Sequence, residues 1–392
     1  MRVSPLWLAA SLWSGSALAL PDASLEPWFV HDSCNGFEND LKDALTQSIE
    51  MADAARSALE IVSGKMPDPR SDEDGAVQWS RIAFTVQVIF GYMPSRSGSN
   101  AAATQYSETL RDIYAKAVRV LPSSQNDPAQ GNNPTLAARP NAKPIIACGD
   151  GVFKWFDADK EPAPGVGKVS DQPEFKRREQ ANNRPAGAFY FEGRWAFKST
   201  TQTSFGVCMG NREAVISSHD DLIILCDKIT SDAGKARTSP RDFKASAGAG
   251  SDLRDALISN PTQIWHELCH WFGGVNGRLE HNIKDHPAVD KNGKVLYKGN
   301  GAVVPFDAPP SAQDLQRNGL RKQGAYGIGN VMELALNHRR LPGNSGPDKA
   351  TTNADSLMIF SLMMYNDRWD WTIKGRARDL TRIREKLGLS NP

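Results

Sequence analysis

The sequence lacks the features that direct a protein to nucleic acid or into a membrane. Its 392 residues carry 46 basic and 45 acidic side chains, which give a formal net charge of +1. Such a balance offers no electrostatic basis for binding DNA, RNA or an anionic membrane surface. After the N-terminal segment, no run reaches the roughly 18 apolar residues that indicate a transmembrane helix. We therefore expect no nucleic-acid partner and no membrane partner.

Internal repeats and glycan acceptors are missing too. No segment recurs with a period of roughly 20–50 residues, the signature of repeat proteins. Asn133 and Asn260 are each followed by proline, so neither forms an N-glycosylation sequon. The chain is nevertheless long enough to bury a substantial hydrophobic core. These observations indicate a folded protein, which we expect to be a monomer.

Residues 1–19 have the pattern of a secretory signal peptide. Arg2 supplies a short positive region, residues 6–12 are apolar, and residues 17–19 read Ala-Leu-Ala, an A-x-A cleavage site. The alternative is a retained anchor, but the apolar run is too short to span a bilayer. The segment predicts that the mature chain is secreted and extracellular.

Histidine is scarce, yet two of the seven histidines lie within five residues of each other. His266, Glu267 and His270 form the motif H-E-x-x-H. On an α-helix, positions i and i+4 lie on the same face, so both imidazoles can reach one metal ion. Glu267 can then contact a water bound to that metal, as in zinc metallopeptidases of the zincin type. The motif predicts His266 and His270 as zinc ligands and Glu267 as a catalytic residue.

The residues around the motif favour a helix. Asn260 can act as the N-cap, Pro261 suits the first helical position, and Gln263 completes a capping box. Gly273 and the glycine after it can end the helix in the left-handed conformation. An apolar stripe at 3- and 4-residue spacing faces the core: Ile264, Leu268 and Trp271. The alternative is an ordinary amphipathic helix whose two histidines are satisfied by hydrogen bonds.

Only five cysteines occur, an odd number: Cys34, Cys148, Cys208, Cys226 and Cys269. In an exported protein an odd count indicates two disulfides and one free thiol. Cys269 is the natural free thiol, because it lies inside the motif helix. The alternative of Cys269 as a zinc ligand fits poorly, since its position is to the side of the face that carries the two histidines.

The rest of the chain divides into a helical part and a part with short strands. Apolar residues recur with helical spacing near 37–61, 76–90 and 102–121. After a loop at 121–143, β-like runs follow at 145–148, 152–156, 188–191, 195–198, 205–209 and 222–229. A charged, proline-rich excursion occupies 157–185, and a long polar segment runs from the motif to residue 323. Two more helices are predicted near 329–338 and from a cap at Asn353. This order predicts the α+β class.

Several motifs outside the zinc motif resemble one family. Cys34 precedes an Ala-rich helix, and the strand 222–226 ends in cysteine shortly before the motif helix. Downstream come Ala325-Tyr326-Gly327, then Leu334-Ala335 and Asn353-Ala354-Asp355-Ser356. In these features the chain resembles the aspzincin metallopeptidases, the secreted deuterolysin and peptidyl-Lys metalloendopeptidase group. The similarity touches most of residues 30–366, and its specific parts are the zinc motif, Ala-Tyr-Gly and Asn-Ala-Asp.

The resemblance implies a zincin-like fold and a peptidase activity. It implies a single catalytic domain over residues 20–392, with a helical part at 30–122 and a sheet with active-site helices at 144–366. It also implies that Tyr326 donates a hydrogen bond to the oxyanion, and that the disulfides are Cys34–Cys148 and Cys208–Cys226. The second bridge has independent support, because it would join two adjacent strands through a short loop.

One departure from the family leaves the third zinc ligand open. The family places an aspartate three residues before the tyrosine, whereas this chain has Gln323, a poor neutral ligand. The metzincin position for a third histidine holds Asn276, and a gluzincin-type ligand from Glu333 is a further alternative. The enlarged polar segment offers seven other candidates, each of which is also explained as a solvated loop residue: Glu280, His281, Asp285, His286, Asp290, Asp307 and Asp314.

These patterns predict a secreted zinc metalloendopeptidase that acts on protein or peptide substrates. Zinc would activate water and polarise the scissile carbonyl, and Glu267 would accept the proton and deliver it to the leaving amine. The strand at 222–227, or an edge neighbour, could align a peptide by β-pairing. The alternatives are a secreted zinc-binding protein with weak or no peptidase activity and an interaction protein with a relic helix. The pattern does not define a cleavage preference.

Overall fold

The computed structural model describes residues 20–98, 101–122, 143–209, 212–217, 221–273, 281–286, 294–298, 303–305, 321–322, 324–336 and 345–390. The predicted signal segment 1–19 lies outside these residues, so it stays a prediction. Within them the chain is mixed α/β, with helices before and after a mixed sheet. That arrangement is compatible with the predicted α+β class.

Three long helices lie in the N-terminal part of the described chain: α1 (Glu38–Ser63), α2 (Glu73–Phe90) and α3 (Ala101–Val120). Their buried apolar positions recur at helical spacing, as Leu41, Leu45 and Ile49 do on α1. The side chain of Asp72 caps α2 by accepting a hydrogen bond from the backbone N–H of Gly75 at 2.9 Å. The three predicted helices are therefore confirmed, each within a few residues of its predicted ends.

The described residues contain ten short strands, which form three sheets. In chain order they are β1 (Phe29–Val30), β2 (Ile145–Cys148), β3 (Lys154–Asp157), β4 (Gly187–Phe191), β5 (Arg194–Lys198), β6 (Ala214–Ser217), β7 (Leu222–Leu225), β8 (Lys294–Lys298), β9 (Val303–Pro305) and β10 (Arg321–Lys322). The main sheet has the order β1-β2-β7-β6, with β1, β2 and β7 parallel and β6 antiparallel. The sheets β3-β4-β5 and β10-β8-β9 are antiparallel.

The central strands of the main sheet, β2 and β7, are buried on both faces. On β7, Ile223 and Leu225 pack into the core shared with the helices, whereas Leu222 and Ile224 pack with Phe189 of the smaller sheet. This alternation follows from the two-residue period of a strand. Burial of both faces explains why β2 and β7 are continuous apolar runs instead of alternating with polar residues.

The remaining helices are shorter. In chain order they are α4 (Pro173–Gln180), α5 (Asp227–Thr230), α6 (Asp232–Lys235), α7 (Pro240–Ser246), α8 (Arg254–Leu257), α9 (Asn260–Gly273), α10 (Gly327–Ala335), α11 (Gly346–Ala350), α12 (Ala354–Tyr365) and α13 (Thr381–Lys386). The motif helix α9 packs against α1, α3, α12 and β6. Every residue of α12 from Ala354 to Met364 is buried. Among the described helices, none combines the length and the apolar composition of a membrane span.

The two predicted disulfides are confirmed. Cys34 is bonded to Cys148 at the end of β2, and Cys208 is bonded to Cys226 just after β7. Cys269 is a free, buried thiol, as its place in the motif helix indicated. Both bridges are typical of a chain that folds in an oxidising compartment.

Some predicted strands are wrong. Residues 205–209 form no strand, and Phe205 instead stacks on Phe153 at a ring-centroid distance of 4.1 Å from an irregular segment. The apolar side chain of Phe205 is therefore explained by its packing against Phe153, and not by membership of a β-sheet. The strand predicted over 222–229 stops at Leu225, because Asp227 begins α5. The antiparallel strand β6 and the three strands β8, β9 and β10 were not predicted.

Candidate metal centre

The motif helix begins one residue earlier than its sequence suggested. Asn260 is its first residue and not its N-cap, so the predicted capping box with Gln263 does not form. The polar contacts of this end come instead from Ser259, whose hydroxyl lies 3.0 Å from that of Thr262. Gln263 donates its side-chain amide to the carbonyl of Leu257 at 2.6 Å. The contact from Gln263 satisfies a backbone carbonyl just before the helix.

His266 and His270 converge with Asp285. Oδ1 of Asp285 lies 3.3 Å from Nε2 of His266 and 3.3 Å from Nε2 of His270. The ligand atoms of these three residues all lie within 4.8 Å of one another, and both histidines are buried. Within the described part of the chain, no other group of histidine, cysteine and carboxylate side chains has a geometry that could hold a metal ion.

The second ring nitrogen of each histidine is fixed by an acceptor. Nδ1 of His270 donates to the carbonyl oxygen of Ile283 at 3.1 Å, and Nδ1 of His266 donates to Oδ1 of Asp355 at 2.7 Å. A carbonyl can only accept, so the proton of His270 resides on Nδ1. Both Nε2 atoms then present their lone pairs to the space that they share with Oδ1 of Asp285, where a metal ion could bind. In metal sites, a hydrogen bond from the ring nitrogen that does not bind the metal orients the histidine.

The donor set fits a catalytic metal ion. Two imidazole nitrogens and one carboxylate oxygen are three protein ligands, which is the number that leaves a coordination position for solvent or substrate. Burial alone would raise the pKa of Asp285, but the two imidazoles that face its carboxylate outweigh burial and keep that pKa well below its usual range. The set does not by itself define which metal binds.

Asp285 reaches the histidines because the segment 281–286 is held in place by backbone pairing. Lys284 donates its N–H to the carbonyl of Thr352 at 2.9 Å and accepts from the N–H of Ala354 at 3.1 Å. His286 accepts at its carbonyl from the N–H of Ala325 at 2.7 Å. These bonds join the segment to the start of α12 and to the residue before Tyr326. The third ligand is thus positioned by contacts that are distant in sequence.

Gly273 makes room for this segment. A Cβ atom at Gly273 would lie 1.9 Å from Cγ1 of Ile283, which is fully buried. Gly273 is also the last residue of α9 and does not have a positive φ. The predicted role of Gly273 as a left-handed helix stop is therefore wrong, and close packing explains the glycine.

The other candidate ligands divide into those engaged elsewhere and those outside the described residues. Nε2 of His281 lies 2.8 Å from Oδ2 of Asp112, and Nε2 of His286 lies 2.9 Å from the hydroxyl of Thr352. Glu333 is exposed on α10 and does not belong to the cluster. The remaining positions lie outside the described residues: Asn276, Glu280, Asp290, Asp307, Asp314 and Gln323.

Glu267 lies beside the histidines and is almost fully buried, with 9% of its surface exposed. Burial raises its pKa above the ordinary value of a glutamate, although His266 and His270 oppose the shift. Among the described residues, no hydrogen bond holds its carboxylate. A buried carboxyl group with a raised pKa is a stronger base once ionised than an exposed one.

Tyr326 also reaches the centre. Its hydroxyl donates to Oδ2 of Asp285 at 2.9 Å, and its ring centroid lies 6.0 Å from that of His266. The side chain is 51% exposed, so it lines the solvent side of the site. Burial of its hydroxyl end and the charge of Asp285 raise the pKa of Tyr326, which keeps the phenol protonated and able to donate.

Asp355 connects these parts. One of its oxygens accepts from His266, and the other accepts from the N–H of Gly327 at 2.5 Å. Gly327 has a φ of +75°, a conformation that glycine adopts without strain, and it follows Tyr326 directly. Asp355 therefore fixes the position of His266 relative to Gly327, the residue that follows Tyr326. The sequence pattern Asn-Ala-Asp marked this residue, but did not indicate its partner.

Comparisons of the chain with protein-family models, curated proteins and solved structures found no match. The assignment of chemistry to the centre therefore depends on its own geometry. That geometry places four residues of the sequence prediction together, namely His266, Glu267, His270 and Tyr326. It adds Asp285, which was one of seven open loop candidates, and Asp355.

Proposed function

We propose that the protein is a secreted zinc-dependent endopeptidase of the zincin type. The observation that carries the proposal is the carboxylate oxygen of Asp285, 3.3 Å from Nε2 of both His266 and His270. It supplies the third ligand that the motif alone lacked. With Glu267 buried beside the two histidines, the centre contains the protein groups that metal-assisted hydrolysis of a peptide requires.

His266, His270 and Asp285 would hold the zinc ion. When bound by three protein ligands, zinc lowers the pKa of water to about 7 and polarises a carbonyl group. Nitrogen and carboxylate ligands in this number are those of catalytic zinc sites. Asp355 and the carbonyl of Ile283 keep both imidazoles in the tautomer that presents Nε2.

The other residues have separate roles in the proposed reaction. Glu267 accepts a proton from the attacking water and delivers it to the leaving amine, and its raised pKa suits both steps. Tyr326 donates a hydrogen bond to the oxygen that becomes negatively charged, as the aspzincin resemblance implies. Its exposed ring and its protonated hydroxyl support that role.

A peptide substrate is favoured by the edge of the main sheet. β6 pairs with β7 on one side and, within the described residues, with no strand on the other. It packs against α9, the helix that carries the histidines. The exposed N–H and C=O groups of such an edge can bind an extended peptide by adding a strand. We therefore assign the peptide backbone to β6, the edge neighbour of β7.

We further propose that the protein is related to the aspzincins but differs from them in its third zinc ligand. The zinc motif, the position of Tyr326 at the centre and the two disulfides support it. The proposed third ligand, however, is Asp285, which precedes the family's aspartate position by many residues. Secretion is supported by the signal pattern at 1–19 and by the disulfides, which oxidising compartments favour.

One observation favours a second candidate, a zinc-binding protein with little peptidase activity. The hydroxyl of Tyr326 donates to Asp285, so it is not directed into open space. Such a protein would use the same three ligands without hydrolysing peptides.

The deciding experiment measures zinc and proteolysis on the same purified, secreted chain. We expect one zinc per chain by elemental analysis, cleavage of casein, and loss of cleavage with retained zinc in Glu267→Gln. One zinc without cleavage would establish the second candidate. Absence of stoichiometric zinc would overturn both.

A further inference from the structure

A pocket separate from the metal centre opens between α2, α10 and α13. Its volume is about 620 Å³. Pockets for small molecules commonly have volumes of about 300–1,000 Å³. None of the three metal-centre residues lines it, so it is a different site. Its residues all belong to the described part of the chain.

One wall of the pocket is apolar. The apolar lining residues include Phe84 and Val88 of α2, Ile328 and Met332 of α10, and Ile383 of α13. Leu336, which follows α10, continues this wall and is 48% exposed. A concave, partly apolar surface of this kind is typical of small-molecule sites. This part of the pocket suits a hydrocarbon chain.

The rim of the pocket is positively charged. Four cations line it: Arg254, Lys374, Arg382 and Lys386. Arg254 is paired with Asp252 at 2.5 Å, and Nζ of Lys386 lies 4.2 Å from the ring centroid of Phe84. Lys374 and Arg382 are exposed, and among the described residues neither has a carboxylate within ion-pair distance. Lys374 and Arg382 are thus available to bind the anionic group of a ligand.

Two carboxylates also line the pocket, and they do not cancel this charge. Asp370 is only 2% exposed and accepts two hydrogen bonds from Thr372, at 2.9 Å from the N–H and 2.6 Å from the hydroxyl. It also interacts with the buried guanidinium of Arg81. Glu333 is exposed on α10. The rim therefore retains an excess of positive charge beside an apolar wall.

We propose that this pocket binds a small amphipathic carboxylate with a hydrocarbon chain, such as a fatty acid. The chain would lie against the apolar wall, and the carboxylate would be directed toward Lys374 and Arg382. An uncharged alcohol would lose the charge-assisted contacts, and an amphipathic cation would meet repulsion from the rim. The inference does not depend on the metal centre or on peptidase activity.

Calorimetric titration of the purified chain with decanoate, 1-decanol and decyltrimethylammonium, each below its micellar concentration, tests the proposal. We expect saturable binding of one decanoate per chain, at least about tenfold weaker binding of the alcohol, and no binding of the cation. Equal affinity for decanoate and 1-decanol would overturn the role of the cations. Binding of an acidic peptide without binding of decanoate would assign the pocket to a protein partner and also overturn the proposal.

Variants locate the site. Lys374→Gln with Arg382→Gln should weaken decanoate binding about tenfold or more, because both charges are lost. Leu336→Asp should weaken it as well, and its exposed position makes the fold tolerant of the change. The matched control is Lys168→Gln with Lys176→Gln, two exposed lysines outside the pocket, which should leave affinity unchanged. Wild-type affinity in the first two variants would show that decanoate binds elsewhere.

Discussion

The hydroxyl of Tyr326 donates a hydrogen bond to Oδ2 of Asp285 at 2.9 Å. Because Oδ1 of the same carboxylate faces both histidines, the tyrosine contacts the proposed zinc ligand instead of a solvent site. In the proposed reaction the hydroxyl has to exchange this acceptor for the substrate oxygen. The contact therefore links the orientation of the ligand to the availability of the oxyanion donor.

Replacing Tyr326 by phenylalanine separates these two roles. If the hydroxyl stabilises the oxyanion, Tyr326→Phe should lower kcat about 100-fold, with little change in KM and with one zinc retained. Steady-state kinetics on a peptide substrate and elemental analysis of the same preparation measure both effects. If zinc is lost instead, the hydroxyl serves mainly to orient Asp285. Unchanged kcat would remove Tyr326 from the mechanism.

Asp285→Ala tests the third ligand. A site reduced to two imidazoles has too few protein ligands for stable zinc binding, so we expect loss of stoichiometric zinc and of proteolysis. The matched control is Glu333→Ala, which removes an exposed carboxylate that was an alternative ligand on sequence grounds. It should retain both properties. Full zinc content in Asp285→Ala would place the third ligand elsewhere in the chain.

The motif helix was predictable from the sequence because its signals are local. His266 and His270 share a helix face whatever the rest of the chain does, and the buried stripe of α9 agrees with its apolar spacing. Asp285 was not predictable in this way. Its position depends on the backbone hydrogen bonds of Lys284 with Thr352 and Ala354, which are roughly 70 residues away in the sequence. The spacing of apolar residues in a sequence does not indicate hydrogen bonds between such distant segments.

The same distinction applies to the strands. β2 and β7 were recognised because burial on both faces gives a continuous apolar run. β6, at the sheet edge, has only four residues and one paired side, so its sequence carries a weak strand signal. At Phe205 the error was the opposite, because a strand was predicted where none forms. The ring of Phe205 packs against Phe153 from a segment that is not a strand. Apolar composition alone does not distinguish these cases.

Asp112 should make stability depend on pH. Burial raises the pKa of its carboxyl, but hydrogen bonds to Lys116 and His281 outweigh burial and lower the pKa below 3.8. A depressed folded-state pKa stabilises the protein above the unfolded-state pKa, and this stabilisation is lost as the pH falls through the folded value. Because the side chain is 41% exposed, we expect Asp112→Asn to cost about 0.5–1 kcal/mol at neutral pH.

Thermal unfolding of the wild type and of Asp112→Asn over a pH series measures this contribution. The difference in Tm should be present at neutral pH and should shrink below about pH 4, where the unfolded-state aspartate becomes protonated. Asp255→Asn, at an exposed aspartate, is the control and should show no such trend. A Tm difference that persists undiminished at low pH would exclude the charge of Asp112 as its cause.

Gly273→Ala should weaken the metal centre through packing alone. The added Cβ would lie 1.9 Å from Cγ1 of Ile283, so either α9 or the segment with Asp285 has to move. Overpacking of a buried contact costs about 1–3 kcal/mol, and we expect a matching fall in Tm together with weaker zinc binding. Gly248→Ala is the control, because no atom lies within 4 Å of its added Cβ and its φ is not positive. Calorimetry and competition with a zinc chelator measure the two effects. Zinc affinity equal to that of the wild type, with Tm lowered, would mean that the segment 281–286 adjusts without displacing Asp285.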